Sequence, residues 1–592
     1  MPEAQPADSF PPVQLFAVAC RWPGLDEARV VEALRGAAAA FPELDERTLE
    51  RGASANGRLA FAAIAHPAER TAPRRYFARK GDEVVVFDGL PLPVFDAAEL
   101  LDRWDELELE GVFNAVKIDL AAGEAEPRLD VFGMAKLFRA ERDDGYVISN
   151  SLEAVRLMTG SDELDPVGIA SMLGFGWVAG GHTLLRGVEV MEGPVTPESV
   201  VPRRTTSTLT PQDVAESLTD LARATARVEP LTCGLTAGRD TRVVLGLALA
   251  AGLDVDYYTS GHPEDADVVI ARELAGAFGL RHELITPRVP DDWVAATSAF
   301  SSQTDGLASF WIVADWVEHQ AMSGPVGLKL WGPGGEIGRA GNIGLSIPFG
   351  STTPGLRSSV EVQRRILHRK VAASGGLFTP AAVDTTRDYL DQFIADRLEE
   401  GWRPREVSEA YYGFERVRYW ASAGVRRASV ATDLWSPFVS RDFIRYCLSL
   451  TPQERSVEAP HWRILGALDE RLRDFRFEYP WRAQRPRLAS AMVGRDVARV
   501  AARRALRRGG GEDGGPPPFG LDWIEAGLPH LSELVAGFPR SPAWAFVDRG
   551  RLQQLLAGPP AARAASAEGL CRALTVLWWL HGRHEAPASR GT

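Results

Sequence analysis

Residues 231–252 read LTCGLTAGRDTRVVLGLALAAG, and the order of elements in this stretch decides the fold of the larger part of the chain. A short β-prone run ends at Leu235, a tight loop follows over 236–240, and an apolar helix is predicted from Thr241. A glycine turn between a strand and a helix exposes backbone N–H groups beside the positive end of the helix dipole. The stretch predicts a loop that binds phosphate or pyrophosphate, although a purely structural turn of this kind is also common in α/β proteins.

The segments after this loop predict a parallel sheet. A strand at 254–261, a helix at 265–279 and a further strand at 281–285 follow one another. Open sheets of this type bind ligands outside the carboxyl ends of their strands. The hydroxyl groups at both ends of the loop can bind phosphate oxygens there, and Asp240 can hold the magnesium ion that bridges them.

The chain before this sheet predicts a separate α+β domain. Its strands are predicted at 14–22, 58–66, 81–89, 111–120 and 145–151, and an amphipathic helix at 28–41. A Pro- and Thr-rich stretch then separates two predicted domains, 1–205 and 206–592. From about Phe378 the chain is mostly helical, and a Gly- and Pro-rich flexible loop is predicted near 508–520.

Composition narrows the function classes. The chain has 592 residues and a formal charge of −13, so we expect neither nucleic acid nor an anionic membrane surface as a partner. The four cysteines are scattered without Cys-x-x-Cys spacing, which argues against zinc and against a disulfide framework. No stretch has the length of a membrane span or the form of a signal peptide, and we expect a cytoplasmic location.

The loop 236–241 resembles the S-G-G-x-D-S pyrophosphate loop of asparagine synthetases, β-lactam synthetases and lasso-peptide cyclases. Threonine replaces serine at both ends, and Ala237 replaces a glycine, which restricts φ. The resemblance implies that ATP binds here and that Thr259 and Ser260 lie against the adenine. The nucleotide-binding residues that it implies are Leu235, Thr236, Ala237, Gly238, Arg239, Asp240, Thr241, Thr259, Ser260, Trp331 and Gly332.

The next segment, 261–285, is also similar to the corresponding part of the family. Asp267, Glu273, Gly279 and His282 fall on the matching positions. His282 can equally be an ordinary residue at the end of a strand.

The turn 331–336 follows a predicted buried strand and resembles the family's second motif, S-G-E-G-x-D-E. Trp331 and Gly332 occupy its first two positions, and Glu336 stands in place of an Asp that is one methylene shorter. The resemblance implies that Asp240 and Glu336 hold Mg²⁺ from two sides of the pyrophosphate. A glycine-rich surface turn is the alternative.

The residues for the acyl-transfer step depart from the family pattern. Pro333 stands where asparagine synthetases have a Glu and β-lactam synthetases a Tyr, and it has no proton to transfer. Glu415, in the predicted helix YYGFERVRYW, is a candidate base, although such a Glu is usually a partner for arginine. The family's lysine for the leaving pyrophosphate has no match, and Arg482 and Arg485 are the nearest cations.

The front domain resembles the glutaminase domain of the same family, an Ntn-hydrolase-like sandwich, in the segments around Gly111, Asp130 and Gly133. The family's nucleophile is a cysteine at the processed N-terminus, whereas this sequence begins with Met1 and Pro2. The nearest cysteine, Cys20, lies inside a predicted strand. Glutamine is therefore not the expected nitrogen donor.

Together, the resemblance implies an Ntn-like domain without its nucleophile, followed by an α/β ATP-pyrophosphatase domain with a helical C-terminal extension. The implied function is an ATP- and Mg²⁺-dependent ligase or cyclase that adenylates a small-molecule or peptide carboxylate and transfers it to an amine. Asparagine synthesis from free ammonia is one alternative, and a degenerate binding module is another. The arginine-rich helix before the loop near 508–520 could bind an acidic partner or a leader peptide, or be a solvated helix face. A protease is a further possible partner of the chain.

Overall fold

The fold is that of a computed structural model of the chain. The residues described are 14–66, 76–94, 96–201, 206–228, 230–321, 327–339, 376–403, 406–428, 432–451, 454–455, 457–477 and 519–582. Arg482 and Arg485 lie outside these residues, and so does the predicted loop near 508–520 except for its last two positions, where a helix begins.

The front part of the chain forms two antiparallel sheets. In chain order its strands are β1 Gln14–Cys20, β2 Glu50–Ala53, β3 Leu59–Ala65, β4 Phe77–Lys80, β5 Glu83–Leu92, β6 Glu110–Asp119, β7 Glu124–Leu129, β8 Phe138–Arg142, β9 Gly145–Ser149 and β10 Val188–Val190. Six strands form one sheet in the order β10-β8-β9-β1-β3-β2, and four form the other in the order β4-β5-β6-β7. The five strands predicted from the sequence here are confirmed.

The two sheets face each other across a shared apolar core, and helices cover their outer faces. Alternation along the strands produces this arrangement, because successive side chains point to opposite faces. In β5, Val84 and Val86 enter the core between the sheets, whereas Val85 and Phe87 pack with the helix Ala97–Asp102 on the outer face. The helices Glu27–Ala38 and Leu152–Thr159 cover the outer face of the larger sheet.

The second part of the chain is built on a parallel sheet, as predicted. Its strands are β11 Leu231–Gly234, β12 Val255–Ser260, β13 His282–Ile285, β14 Leu328–Leu330 and β15 Asp433–Trp435. They lie in the order β13-β12-β11-β14-β15, and every neighbouring pair is parallel. The chain moves outward from β11 in one direction through β12 and β13, and β14 lies on the other side of β11. The carboxyl ends of β11 and β14 therefore meet at a topological switch point, where such sheets bind ligands.

Helices make up most of what remains, including the predicted helical region after Phe378. The α-helices of the two parts not yet named are Pro166–Phe175, Pro211–Thr225, Arg239–Ala251, Ala266–Phe278, Trp293–Gln303, Val313–Ala321, Pro380–Glu399, Val407–Tyr411, Ser422–Ala428, Arg441–Ser449, Ala459–Leu468, Glu470–Asp474, Phe519–Gly537, Arg549–Ala557, Pro560–Ala565 and Ala567–His581. Tyr412–Ala421 is a π-helix, and the short 3-10 helices are Glu46–Thr48, Glu198–Val200, Phe310–Ile312, Gly335–Gly338, Pro437–Val439 and Pro542–Ala545. Within the part of the chain described, no helix is both long and apolar enough to cross a membrane.

The last helix, Ala567–His581, joins the two parts of the chain. It packs against Pro166–Phe175 of the front part and against Trp293–Gln303 beside the parallel sheet. Arg572 on this helix donates hydrogen bonds to the carbonyl groups of Leu173 and Gly174, at 3.2 and 3.1 Å. One apolar core is continuous across both parts, and the predicted division at residue 205 stays a prediction.

Replacement of Trp579 tests whether the two parts of the chain share this core. Its side chain is 2% exposed and packs so closely on Gly306 that a Cβ atom there would lie 2.3 Å from the indole ring. We expect Trp579→Ala to lower the free energy of unfolding by about 3–5 kcal/mol, because it leaves a large cavity. Thermal melting followed by circular dichroism measures this, with Leu157→Ala, at a residue that is 40% exposed, as the control. If Trp579→Ala melts at the same temperature as Leu157→Ala, Trp579 does not stabilise the shared core and the prediction is wrong.

Candidate functional site

A cleft of about 350 Å³ opens at the carboxyl ends of β11, β12 and β14. Eight of the residues predicted for the site line it, namely Thr236, Asp240, Thr241, Thr259, Ser260, Trp331, Gly332 and Glu336. Leu235 and Ala237 are buried beneath the loop. The structure thus brings together two sequence motifs that lie about a hundred residues apart.

The loop after β11 is held by hydrogen bonds of its own. The hydroxyl oxygens of Thr236 and Thr241 lie 2.9 Å apart, and the N–H of Gly238 donates to the Thr236 hydroxyl at 3.0 Å. The N–H of Ala237 donates to Asp267 at 2.8 Å, so this aspartate supports the loop. Two of the amide groups that the sequence assigned to phosphate are therefore used within the protein, and the hydroxyls and the first turn of the helix Arg239–Ala251 are left for a ligand.

Alanine in place of the family's glycine does not strain this loop. Among the described residues other than glycine, a positive φ occurs at Arg21, Asp143, Asp305 and Glu458, and Ala237 is not one of them. Because the position does not use the left-handed region, a Cβ atom is tolerated there. The loop with alanine at position 237 leads into a helix that begins at Arg239, so the alanine does not prevent this backbone path.

Asp240 stands in the first turn of that helix between two basic side chains. Its Oδ2 atom forms an ion pair with Nη2 of Arg339, and its Oδ1 atom lies 3.0 Å from Nε2 of the fully buried His461. Burial raises the pKa of Asp240, but Arg339 and His461 together outweigh burial and hold the pKa below its usual range. Asp240 is therefore a carboxylate at neutral pH.

Glu336 reaches the same cleft from the 3-10 helix Gly335–Gly338, which follows β14. The glycines of this turn allow its close approach to Asp240. A Cβ atom on Gly335 would lie 2.2 Å from Asp240 Oδ1, and one on Gly332 would lie 3.4 Å from Asp240 Cβ. Gly335 is thus required by packing against Asp240, and Gly334 by its positive φ of 97°.

Two carboxylates fit a magnesium ion that also binds phosphate. Within the described ranges, no group of three or more His, Cys, Asp or Glu side chains is arranged to hold a metal ion alone. Mg²⁺ is commonly held by one or two carboxylates together with substrate phosphates. Asp240 and Glu336 supply such a pair, so they would hold the ion together with the phosphate groups of a nucleotide.

The residues expected at the adenine are partly used in holding β11 to its neighbours. The hydroxyl of Thr259 donates to the carbonyl of Leu235 at 2.6 Å and lies 2.8 Å from Nε2 of His282. Burial lowers the pKa of His282. His282 therefore supports the wall of the cleft through Thr259. Ser260 lines the cleft.

Several residues that line the cleft have no counterpart in the sequence prediction: Tyr258, Glu318, Lys329, Tyr412 and Trp420. Lys329 is 6% exposed, and its Nζ atom lies 3.1 Å from Nε2 of His319 and 3.6 Å from Oε1 of Glu318. Burial, and then Lys329, lower the pKa of His319 far below its ordinary value, so this imidazole is neutral. A lysine between two leucines in a buried strand is an unusual pattern, and it is the signal that could have marked the position.

Glu415 is not among the residues that line the cleft. It lies in the π-helix Tyr412–Ala421, is 3% exposed, and accepts a hydrogen bond from the hydroxyl of Tyr389 at 2.6 Å. Tyr412 and Trp420 of the same π-helix do face the cleft. Glu415 therefore stays away from the cleft, because its position along the helix turns it toward the helix Pro380–Glu399. Its predicted role as a base gains no support.

Comparison with models of known protein families returned no match, and a comparison with curated proteins returned none either.

Gly335 tests the close approach of the two motifs. We expect Gly335→Ala to push the Asp240 carboxylate aside and to weaken Mg²⁺–ATP binding between about tenfold and a hundredfold. Isothermal titration calorimetry measures the affinity. The matched control is Gly276→Ala, because no atom lies within 4 Å of the Cβ position there. Equal affinities for the two variants would show that the turn does not need its glycine.

The pKa of Glu415 predicts that the contribution of this residue to stability depends on pH. Burial raises its pKa from 4.5 to about 7, so folding favours the protonated carboxyl group. The contribution is complete below pH 4.5 and is lost as the pH rises through 7. Glutamine does not titrate, so its contribution to stability does not change over this range. The free energy of unfolding of Glu415→Gln minus that of the wild type should therefore increase by about 1–3 kcal/mol between pH 5 and 8. Thermal melts across this range measure the change, and Glu32→Gln at an exposed position is the control. If the difference in stability between Glu415→Gln and the wild type does not vary with pH, the prediction is wrong.

Proposed function

We propose that this protein is an ATP-dependent ligase that adenylates a carboxylate, releases pyrophosphate and passes the acyl group to an amine. One observation carries the proposal. The loop with Asp240 and the turn with Glu336 line one cleft at the switch point of a parallel sheet, where such sheets bind ligands. The finer assignment of the sheet domain to the adenine-nucleotide α-hydrolase fold, and of the front domain to the Ntn-hydrolase fold, belongs to this proposal.

Each part of the cleft has a task in the first step. The hydroxyl groups of Thr236 and Thr241 and the first turn of the helix Arg239–Ala251 bind the pyrophosphate end of ATP. Asp240 and Glu336 would hold Mg²⁺, which would supply stabilisation of negative charge on the phosphate oxygens. An oxygen of the substrate carboxylate attacks the α-phosphorus, the bond to the β-phosphate oxygen breaks, and pyrophosphate leaves with that electron pair.

In the second step the amine nitrogen attacks the acyl carbon, the acyl–oxygen bond breaks, and AMP leaves as the amide forms, with the phosphate of the leaving AMP as the acceptor of the amine proton. The amine must lose a proton, which Pro333 cannot accept. Burial, followed by Glu336, raises the pKa of Tyr412, so its hydroxyl stays protonated at neutral pH. The rings of Trp331, Tyr412 and Trp420 line the cleft and would limit access of water to the adenylate.

The front domain supports an amine source other than glutamine. Cys20 lies within β1, is 2% exposed, and donates its thiol hydrogen to the carbonyl of Gly123 at 3.4 Å. The other cysteines are buried too, and burial raises the pKa of Cys233 to about 12. A glutaminase needs an accessible thiolate. The amine is therefore proposed to come from the substrate itself or from a second molecule, as in β-lactam synthetases and lasso cyclases, and the chain is proposed to work in the cytoplasm.

Replacing Asp240 tests the ligase. We expect Asp240→Asn to reduce ATP–pyrophosphate exchange by about a hundredfold or more, because the variant loses the charge that holds the metal. Asp384→Asn, at an exposed position on the helix Pro380–Glu399, should exchange like the wild type.

The exchange assay also separates the candidate functions. Exchange stimulated by aspartate supports asparagine synthesis, and exchange stimulated by a peptide or another acid supports the wider ligase. A wild-type protein that shows no exchange with any of a broad panel of acids is a binding module, and the ligase proposal then fails.

A further inference from the structure

Each oxygen of Asp240 faces a basic side chain of the protein. Arg339 is bound to Oδ2, and His461 lies beside Oδ1. Arg339 is itself held by Glu458, whose Oε2 atom is 3.7 Å from Nε of Arg339 and whose Oε1 atom is 2.5 Å from Nη1 of Arg239. Asp240 therefore has a protein cation as its partner in the structure.

The charge around Arg339 is strongly negative. Burial lowers the pKa of Arg339, but Asp240, Glu458 and Glu336 together raise it above its ordinary value. Three carboxylates thus surround Arg339, and one of them, Glu458, is shared with the guanidinium group of Arg239. A pyrophosphate group that enters beside Asp240 and Glu336 adds further negative charge, so the site requires an additional cation at that moment.

Arg339 contacts Asp240 although it is not among the residues that line the cleft. Asp240 and Glu336 line the cleft, whereas Arg339 and Glu336 line a second, narrow cavity. Tyr412 lines both spaces. The turn that carries Arg339 is fixed against His461, since a Cβ atom on Gly338 would lie 2.7 Å from Cε1 of the imidazole. The backbone of this turn is therefore held close to His461. The long side chain of Arg339 can change its partner without moving the turn.

We infer that Arg339 is the resident counter-ion of Asp240, and that it yields this carboxylate to Mg²⁺ and pairs with the phosphate groups when the nucleotide enters. Arginine suits both states because its guanidinium fork matches carboxylate and phosphate oxygens alike. The inference rests on the proposed function and deepens it. Arg339 would supply the cation at the pyrophosphate for which the sequence offered Arg482 and Arg485.

The inference predicts opposite effects of one substitution on two ligands. In Arg339→Met, Mg²⁺ no longer competes with a guanidinium for Asp240, whereas pyrophosphate loses a cation. Titration calorimetry with Mg²⁺ alone should show binding about tenfold tighter than in the wild type. Titration with inorganic pyrophosphate in the presence of a chelator should show binding about tenfold weaker. Arg339→Lys keeps the charge and should retain more of the pyrophosphate affinity than Arg339→Met.

The control is Arg397→Met, which removes a half-buried ion pair with Glu400 far along the chain and should shift neither affinity. If both affinities fall together in Arg339→Met and Arg339→Lys, Arg339 only shapes the site and the inference is wrong. Unchanged affinities in both variants also overturn it. A wild-type protein that binds Mg²⁺ and pyrophosphate but shows no exchange with any acid would instead overturn the ligase and leave the role of Arg339 intact.

Discussion

The parallel pairing of β11 with β14 is the contact on which the cleft depends. Leu231 pairs with Leu328 and Cys233 with Leu330, so the two strands end at the same level. Both are short and their ladder side chains are buried, which leaves little freedom for a change of register. Because the loop with Asp240 follows one strand and the turn with Glu336 follows the other, this register sets the distance between the two motifs.

The charges at the site are balanced by groups from distant parts of the chain. Asp240 comes from the helix after β11, Arg339 from the turn after β14, and His461 from the helix Ala459–Leu468. A buried carboxylate without partners would be costly, so this convergence lets Asp240 stay ionised where water is scarce. The same convergence makes the site sensitive to a change in any of the three elements.

The front domain also reaches the wall of the cleft, through the π-helix Tyr412–Ala421. Lys136 lies in the front domain, is buried, and donates to the carbonyl of Arg418 at 2.7 Å. Arg418 in turn donates to the carbonyl of Phe132 at 3.1 Å. Burial lowers the pKa of Lys136 to about 7. These bonds hold one face of the π-helix to the front part of the chain while Tyr412 and Trp420 face the cleft.

Local sequence determined the elements of this protein and the order in which they follow one another. The apolar run before Leu235, the glycine turn and the apolar helix after it were sufficient to predict strand, loop and helix, and repetition of this order predicted a parallel sheet. Asp240 and Glu336 were found because each follows a strand in a short motif. Tertiary structure alone decided the partners. Arg339, His461 and Glu318 carry no local signal, since ion pairs between residues far apart in the chain depend on how sheets and helices pack. The position of Glu415 away from the cleft was decided in the same way, because the face that a helix presents depends on what it packs against.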